Sequence, residues 1–139
     1  MRITRDNLLH ATKSLCIDFA SKKDPDALMT HFSTTHQCSA YEHGLPILAP
    51  FLGRHFVGRD GVRDYFKTVA STLSFEGMEF SEYIVDPEVQ KVSSRAGTRY
   101  LHMCLTLTTD CKVTDYQVWA DTGAAYLASN GQVGHELGL

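Results

Sequence analysis

Residues 97–123, GTRYLHMCLTLTTDCKVTDYQVWADTG, decide the fold. Period-two alternation runs through 98–108 and again through 112–121, with Thr109-Asp110-Cys111 as a short polar connection between them. Val, Thr, Tyr and Leu in such alternation mark paired antiparallel strands. Leu101, Met103, Leu105 and Leu107 share one face of the first strand; Tyr100, His102, Cys104 and Thr106 share the other. In the second strand Gln117, Trp119 and Asp121 alternate with Tyr116, Val118 and Ala120. A loop of two or four residues puts Tyr100, His102, Trp119 and Asp121 on one face of the sheet, whereas a loop of three would break that arrangement. The hairpin then has an aliphatic face and a face carrying a carboxylate, an imidazole, a phenol and an indole. That second face is either a reaction chamber or the solvated outside of the sheet.

The chain has 139 residues, which suits one domain spanning 1–139. At this size folding buries roughly two-thirds of the surface, enough for a core without disulfide staples. A net charge of −3 and the lack of any basic run argue against a nucleic-acid partner. No apolar stretch reaches the roughly 20 residues that span a bilayer. The opening residues, MRITRDNLLH, lack the apolar segment of a signal peptide, so a cytoplasmic location and no membrane partner are expected. The cysteines at 16, 38, 104 and 111 form no C-x-x-C pair, which speaks against structural zinc and redox motifs. His31, His36 and His43 recur without an H-x-x-x-H or H-x-H pair, so no metal site is expected.

Ahead of the hairpin the pattern is helical. Thr4 is placed to cap a helix over 5–21 whose apolar face holds Leu8, Ala11, Leu15, Ile17, Phe19 and Ala20. Asp24-Pro25 starts a second, shorter helix, with Phe32 just beyond its end. A strand is expected over 34–42, then an apolar loop, HGLPILAPFLG, that must pack on the core, a ligand cavity or a second subunit. Asp60 caps a third helix marked by Val62, Tyr65, Phe66, Val69 and Leu73. Strands over 78–85 and 89–96 flank the turn Asp86-Pro87-Glu88 and precede the hairpin. Helices in front and an antiparallel sheet behind make an α+β domain. A curved sheet with helices on its concave side forms a cone whose opening suits a small molecule.

The pattern EHG-LPILAPFLG-R-F-VGRDGVRDYF followed by KVTDYQVWADTGAAYLA resembles fungal members of the SnoaL-like branch of the nuclear-transport-factor-2-like (NTF2-like) superfamily, over residues 36–128. The resemblance implies a cone-shaped α+β barrel that often dimerises through its sheet. It also implies isomerase or cyclase chemistry on meroterpenoid or polyketide intermediates, with no metal or organic cofactor. In the same terms Asp121 matches the base of polyketide cyclases and His102 is placed like their partner histidine. This chain departs from the family just before His102, where Ala96-Gly97-Thr98-Arg99-Tyr100 replaces a longer stretch.

Each candidate carries two readings. Asp121, buried beside Trp119, would have a raised pKa fit for proton transfer, or it caps the turn into Gly123. His102 titrates near neutrality, or is an exposed strand histidine. Glu42 and His43 reach over the mouth of the cone, or anchor the loop. Tyr100 is a candidate hydrogen-bond donor to substrate. His36 and Cys38 alternate on one face of the first strand, so one of them lines the cavity, or Cys38 is simply a small buried residue. Tyr65, Phe66, Phe80 and Trp119 form core or cavity wall, which suits a polycyclic substrate. Arg54 and Arg59 bind an anion, or are solvated or paired with Asp60 and Asp64. The expected activity is a cofactor-independent isomerase or cyclase of a polycyclic intermediate, active as a homodimer. A dehydratase with the same proton chemistry and a non-catalytic binding or dimerisation module are the alternatives.

Overall fold

A computed structural model describes residues 2–73, 77–97 and 101–120. Three helices, α1 (Arg5–Ala20), α2 (Pro25–Met29) and α3 (Gly58–Thr72), precede or interrupt six strands. These are β1 (Ser39–His43), β2 (His55–Val57), β3 (Phe80–Asp86), β4 (Lys91–Ala96), β5 (Leu101–Leu107) and β6 (Val113–Ala120). They form a single sheet in the order β2-β1-β6-β5-β4-β3. The sheet is mixed, not purely antiparallel: β1 runs parallel to β6, pairing Ala40 with Tyr116 and Glu42 with Val118. The helices lie against one face, α1 on β3 and β4, α3 on β1 and β2.

Local chemistry sets the helix starts. The Thr4 hydroxyl accepts from the Asn7 N–H at 3.1 Å while Asn7 Oδ1 accepts from the Thr4 N–H, a reciprocal cap worth about 1 kcal/mol. Asp24 accepts from the Ala27 N–H at 2.8 Å, and Pro25 supplies a preset φ at the first helical position. Asp60 is not the cap of α3, which begins two residues earlier at Gly58 with Val57 as an N-cap lacking a side-chain bond. Asp60 sits in the first turn and pairs with Arg63 at 3.1 Å. Ile17, expected on the apolar face of α1, is 64 % exposed, and the buried series is Leu8, Thr12, Leu15 and Cys16.

The first strand starts later than the sequence suggests. Ser33 Oγ accepts from the N–H groups of Thr35 and His36, folding residues 33–36 into a turn, so pairing begins at Ser39. His36 is therefore exposed in a turn and does not alternate with Cys38 along a strand. The three-residue β2, unforeseen as a strand, pairs antiparallel with β1.

For His102 and Trp119 the β5–β6 hairpin keeps the expected face assignment by an unexpected route. Thr108 N–H donates to the Lys112 carbonyl at 2.8 Å, which leaves three residues in the loop, with Cys111 at φ 62°. A bulge between Leu107 and Thr106 then shifts the register by one, restoring His102 opposite Trp119 and Leu105 opposite Tyr116. Met103, Leu105, Leu107, Val113, Tyr116 and Val118 are buried against the helices with Val92. The aliphatic face is the inner one.

Candidate functional site

Strand alternation decides which side chains meet. On β1, Ala40 and Glu42 point toward the helices, and Tyr41 and His43 point away, so Glu42 and His43 cannot act on the same substrate atom. The same rule sends His102 and Trp119 outward. His102 is exposed and Trp119 is 43 % exposed. In the register of the sheet Arg95, His102, Trp119 and His43 form one row across β4, β5, β6 and β1. The His43 and Trp119 rings stack 4.4 Å apart at 8°, and His43 Nε2 lies 2.9 Å from Gln117 Oε1. The face bearing His102 and Trp119 is thus the one turned away from the described helices. Asp121 and Tyr100, the other two members of that expected set, lie outside the described residues.

What the fold does gather is a polar group inside the sheet. Glu42 is only 4 % exposed, and the Tyr65 hydroxyl of α3 donates to its Oε1 at 2.6 Å. Burial pushes the Glu42 carboxyl up to about 7, and the bond from Tyr65 works in the opposite direction. Tyr65 is itself raised, first by burial and then by the facing carboxylate. Tyr116 of β6, also buried and raised, lies in the field of Glu42 and of the Cys16 thiol of α1. Burial takes Cys16 up to about 12, so it is a neutral thiol and no nucleophile at ordinary pH.

Aromatic rings enclose this group. Tyr65 meets Phe51, Phe56, Phe66 and Tyr116 at centroid distances of 6.4, 5.4, 5.2 and 5.8 Å. The apolar loop supplies the cover. Its Gly53 N–H donates to the Glu42 carbonyl at 2.9 Å, Leu52 bridges to Glu42, and Phe51 and Leu52 are fully buried. The loop thus packs on the core, while its other turn leaves Leu45 and Ile47 exposed. Cys38 is buried in the core, its thiol raised by burial. Arg59 donates to the carbonyls of Met29, Phe32 and Ser33, closing the end of α2, and Arg54 donates to the Pro50 carbonyl and covers the Phe56 ring. Both arginines thus hold backbone.

Two cavities adjoin α1, and neither is lined by Glu42 or Tyr65. One, of about 270 Å³, lies between α1, α2 and α3 and includes Phe19 and Phe66. The other, of about 360 Å³, lies between α1 and β3 and is lined by Cys16, Phe80 and Tyr83 among others. Phe66 and Phe80 are therefore cavity wall, whereas Tyr65 is the partner of Glu42.

No family model matches this chain, and no curated protein matches it. Solved structures do. An NTF2-like protein of unknown function from Burkholderia pseudomallei superposes with a TM-score of 0.67 at 12% identity, covering 84% of this chain and 92% of its own. The fold is NTF2-like. Another match is the BvnE pinacolase of Penicillium brevicompactum, with a TM-score of 0.62, 18% identity, and 91% and 90% of the two chains covered. A steroid delta-isomerase of Pseudomonas aeruginosa gives 0.57 at 14% identity over 99% and 96%. At such identities the likeness extends to the fold alone. The NTF2-like sheet nevertheless explains why Glu42 is well placed: β1 is internal, between β2 and β6, and its inward residues face the helical layer. The Glu42–Tyr65 bond itself left no sequence signal beyond the inward position of Tyr65 on α3.

Proposed function

We propose that this chain is a cofactor-independent isomerase or cyclase that moves a proton on a polycyclic polyketide or meroterpenoid intermediate. Glu42 is the acid–base group. The observation that carries this reading is a buried carboxyl, 2.6 Å from a phenol donor, whose pKa of about 7 leaves both protonation states populated near neutrality. As carboxylate, Glu42 takes a proton from the carbon beside a substrate carbonyl, giving an enolate. As carboxylic acid, it returns that proton to another carbon, which completes a double-bond shift. In a cyclisation the enolate carbon instead attacks a second electrophilic carbon, and the proton goes to the oxygen formed there. Tyr65 holds the carboxyl in place throughout. The pinacolase and the steroid delta-isomerase among the structural neighbours support the general kind of reaction.

A second reading has its own observation. Glu42 is closed to solvent beneath the loop 44–54, while the cavity beside Phe66 is lined by apolar side chains and lysines, as in a ligand-binding module. Solvent deuterium exchange separates the two. A panel of polycyclic β,γ-unsaturated ketones and 1,3-diketones is incubated with the chain in D₂O and followed by NMR. Enzyme-dependent exchange or isomerisation, reduced roughly 10²–10⁴-fold in Glu42→Gln, is the expected result. Exchange that persists undiminished in Glu42→Gln contradicts the role given to this residue.

A further inference from the structure

The edge strand β3 is irregular where it faces α1. Phe80 pairs with Ala96 and Ser81 with Arg95, but the partner of Ser93 is Ile84, where an unbroken ladder would put Tyr83. Glu82 and Tyr83 therefore share the place opposite Ser94, a β-bulge, and Glu82 takes a φ of 55° that residues other than glycine rarely adopt. In a regular strand Tyr83 would follow Ser81 to the face turned away from the helices. The extra residue instead brings Phe80, Tyr83 and Val85 together against the core. Two contacts hold the bulge: Glu82 pairs with Arg95 at 3.0 Å, and the Ser94 hydroxyl donates to the Ser81 carbonyl at 2.9 Å. Bulges that re-aim a side chain gather beside binding sites, and here two aromatic residues are turned onto one cavity.

That cavity, between α1 and β3, has a volume of about 360 Å³, within the range of small-molecule pockets, roughly 300–1,000 Å³. Ile17 and Ala20, one turn apart, line it from α1, and Met78 and Phe80 line it from the side of β3. Phe19 braces the Phe80 ring edge-on at 6.2 Å. Ile17 is 64 % exposed and leaves apolar surface at the rim for an occupant to cover. The floor is polar and uncharged. There the Tyr83 hydroxyl faces the Cys16 thiol and the Ser94 hydroxyl, and burial keeps both Tyr83 and Cys16 protonated. Ser94 gives its hydrogen to Ser81, and a thiol sulfur is a weak acceptor, so a carbonyl oxygen brought to this floor is a better partner for the phenol than the sulfur. The charged neighbours are exposed residues: Glu79 at the rim, and Lys13, whose ammonium lies 5.4 Å from the centroid of the Tyr83 ring. An ionised ligand would lose its hydration against walls that are apolar.

We propose that the cavity between α1 and β3 binds an uncharged, flat molecule of two fused rings bearing one ketone or ester oxygen, with its rings on Phe80 and Ile17 and its oxygen accepting from the Tyr83 hydroxyl. Neither Glu42 nor Tyr65 lines this cavity, so its ligand is not the substrate of that pair. The proposal stands whether or not Glu42 moves a proton.

The test titrates the full chain with prodan, a neutral naphthyl ketone whose emission moves to the blue in apolar surroundings. Bound prodan is then displaced with α-tetralone, or with tetralin, the same ring pair without the oxygen. Both are expected to compete, and α-naphthoate, flat but charged, to compete poorly. In Tyr83→Phe the ratio of tetralone to tetralin affinity should fall about fivefold, the loss of one hydrogen bond. Ile17→Asp, at an exposed position on the rim, weakens all of these ligands without disturbing the core. Glu42→Gln binds them as the parent chain does. A tetralone-to-tetralin ratio unchanged in Tyr83→Phe, displacement by naphthoate as effective as by tetralone, or prodan binding indifferent to Ile17→Asp overturns the proposal.

Discussion

At the scale of single residues the fold encloses the carboxyl of Glu42 at 4 % exposure. An ordinary glutamate carboxyl titrates near 4.5, and burial moves that of Glu42 to about 7. The folded chain thus holds this proton more tightly than the unfolded chain, so stability from this group is complete below about 4.5 and is lost as pH rises through about 7. The loss amounts to roughly 3 kcal/mol over that window. Glu42→Gln, which cannot charge, is expected to show a flatter profile. Urea denaturation from about pH 5 to about pH 8 should bring the variant's stability up relative to the parent as pH rises; parallel profiles would mean that Glu42 titrates normally. Of the residues singled out from sequence, Glu42 and Tyr65 come together and His102 and His43 turn outward. Alternation alone fixed which residues share a face. It left open which face the helices cover, although the run Leu101, Met103, Leu105 and Leu107 was itself the stronger guide to the inside.

At the scale of elements the loop 44–54 is what seals the site. Gly53 makes this possible: its φ is +67°, and a Cβ there would come 2.7 Å from the Gly44 carbonyl oxygen and 2.9 Å from Pro46 Cγ. Gly58 has a similar φ of +79° with nothing within 4 Å. Both alanine variants incur roughly 1–2 kcal/mol for the left-handed backbone. Gly53→Ala adds a crowding cost of roughly 1–3 kcal/mol that Gly58→Ala lacks. Chemical denaturation of the two variants should show that gap, and equal losses would mean that the loop is not packed as described. Elements dictated by local chemistry were legible in the sequence, namely the capped α1, the Asp24-Pro25 start of α2 and the β5–β6 pairing. The late start of β1, set by the Ser33 turn, and the parallel β1–β6 pairing were not. The first comes from local bonds of Ser33 to the N–H groups of Thr35 and His36, which carry no periodicity, and the second from contacts between residues distant in the chain.

At the scale of the molecule the helices cover one face of the sheet, and among the described residues nothing covers the other. That outer face carries Trp119, the stacked His43, Tyr41 within 4.6 Å of His43 and 4.5 Å of His55, and the exposed Val57. We propose this aromatic strip as the contact of a homodimer formed through the sheets. Light scattering is expected to give twice the chain mass for the parent protein and a monomer for Trp119→Glu; an unchanged mass in the variant contradicts the assignment. Among the described residues no helix is long and apolar enough to cross a membrane. On its inner side the sheet holds an enclosed carboxyl against a phenol, with Phe66 packed on that phenol and lining a cavity between the helices.

The chemistry proposed for this protein turns on the protonation of Glu42. With glutamate ¹³C-labelled at the carboxyl carbon and Glu42→Gln used to assign the signal, NMR follows the group from acid to alkaline pH. A midpoint at about 7 is expected, moving further up in Tyr65→Phe as the bond that favours the carboxylate is lost. A midpoint at the ordinary 4.5, unchanged by Tyr65→Phe, would remove Glu42 from the chemistry proposed for this protein.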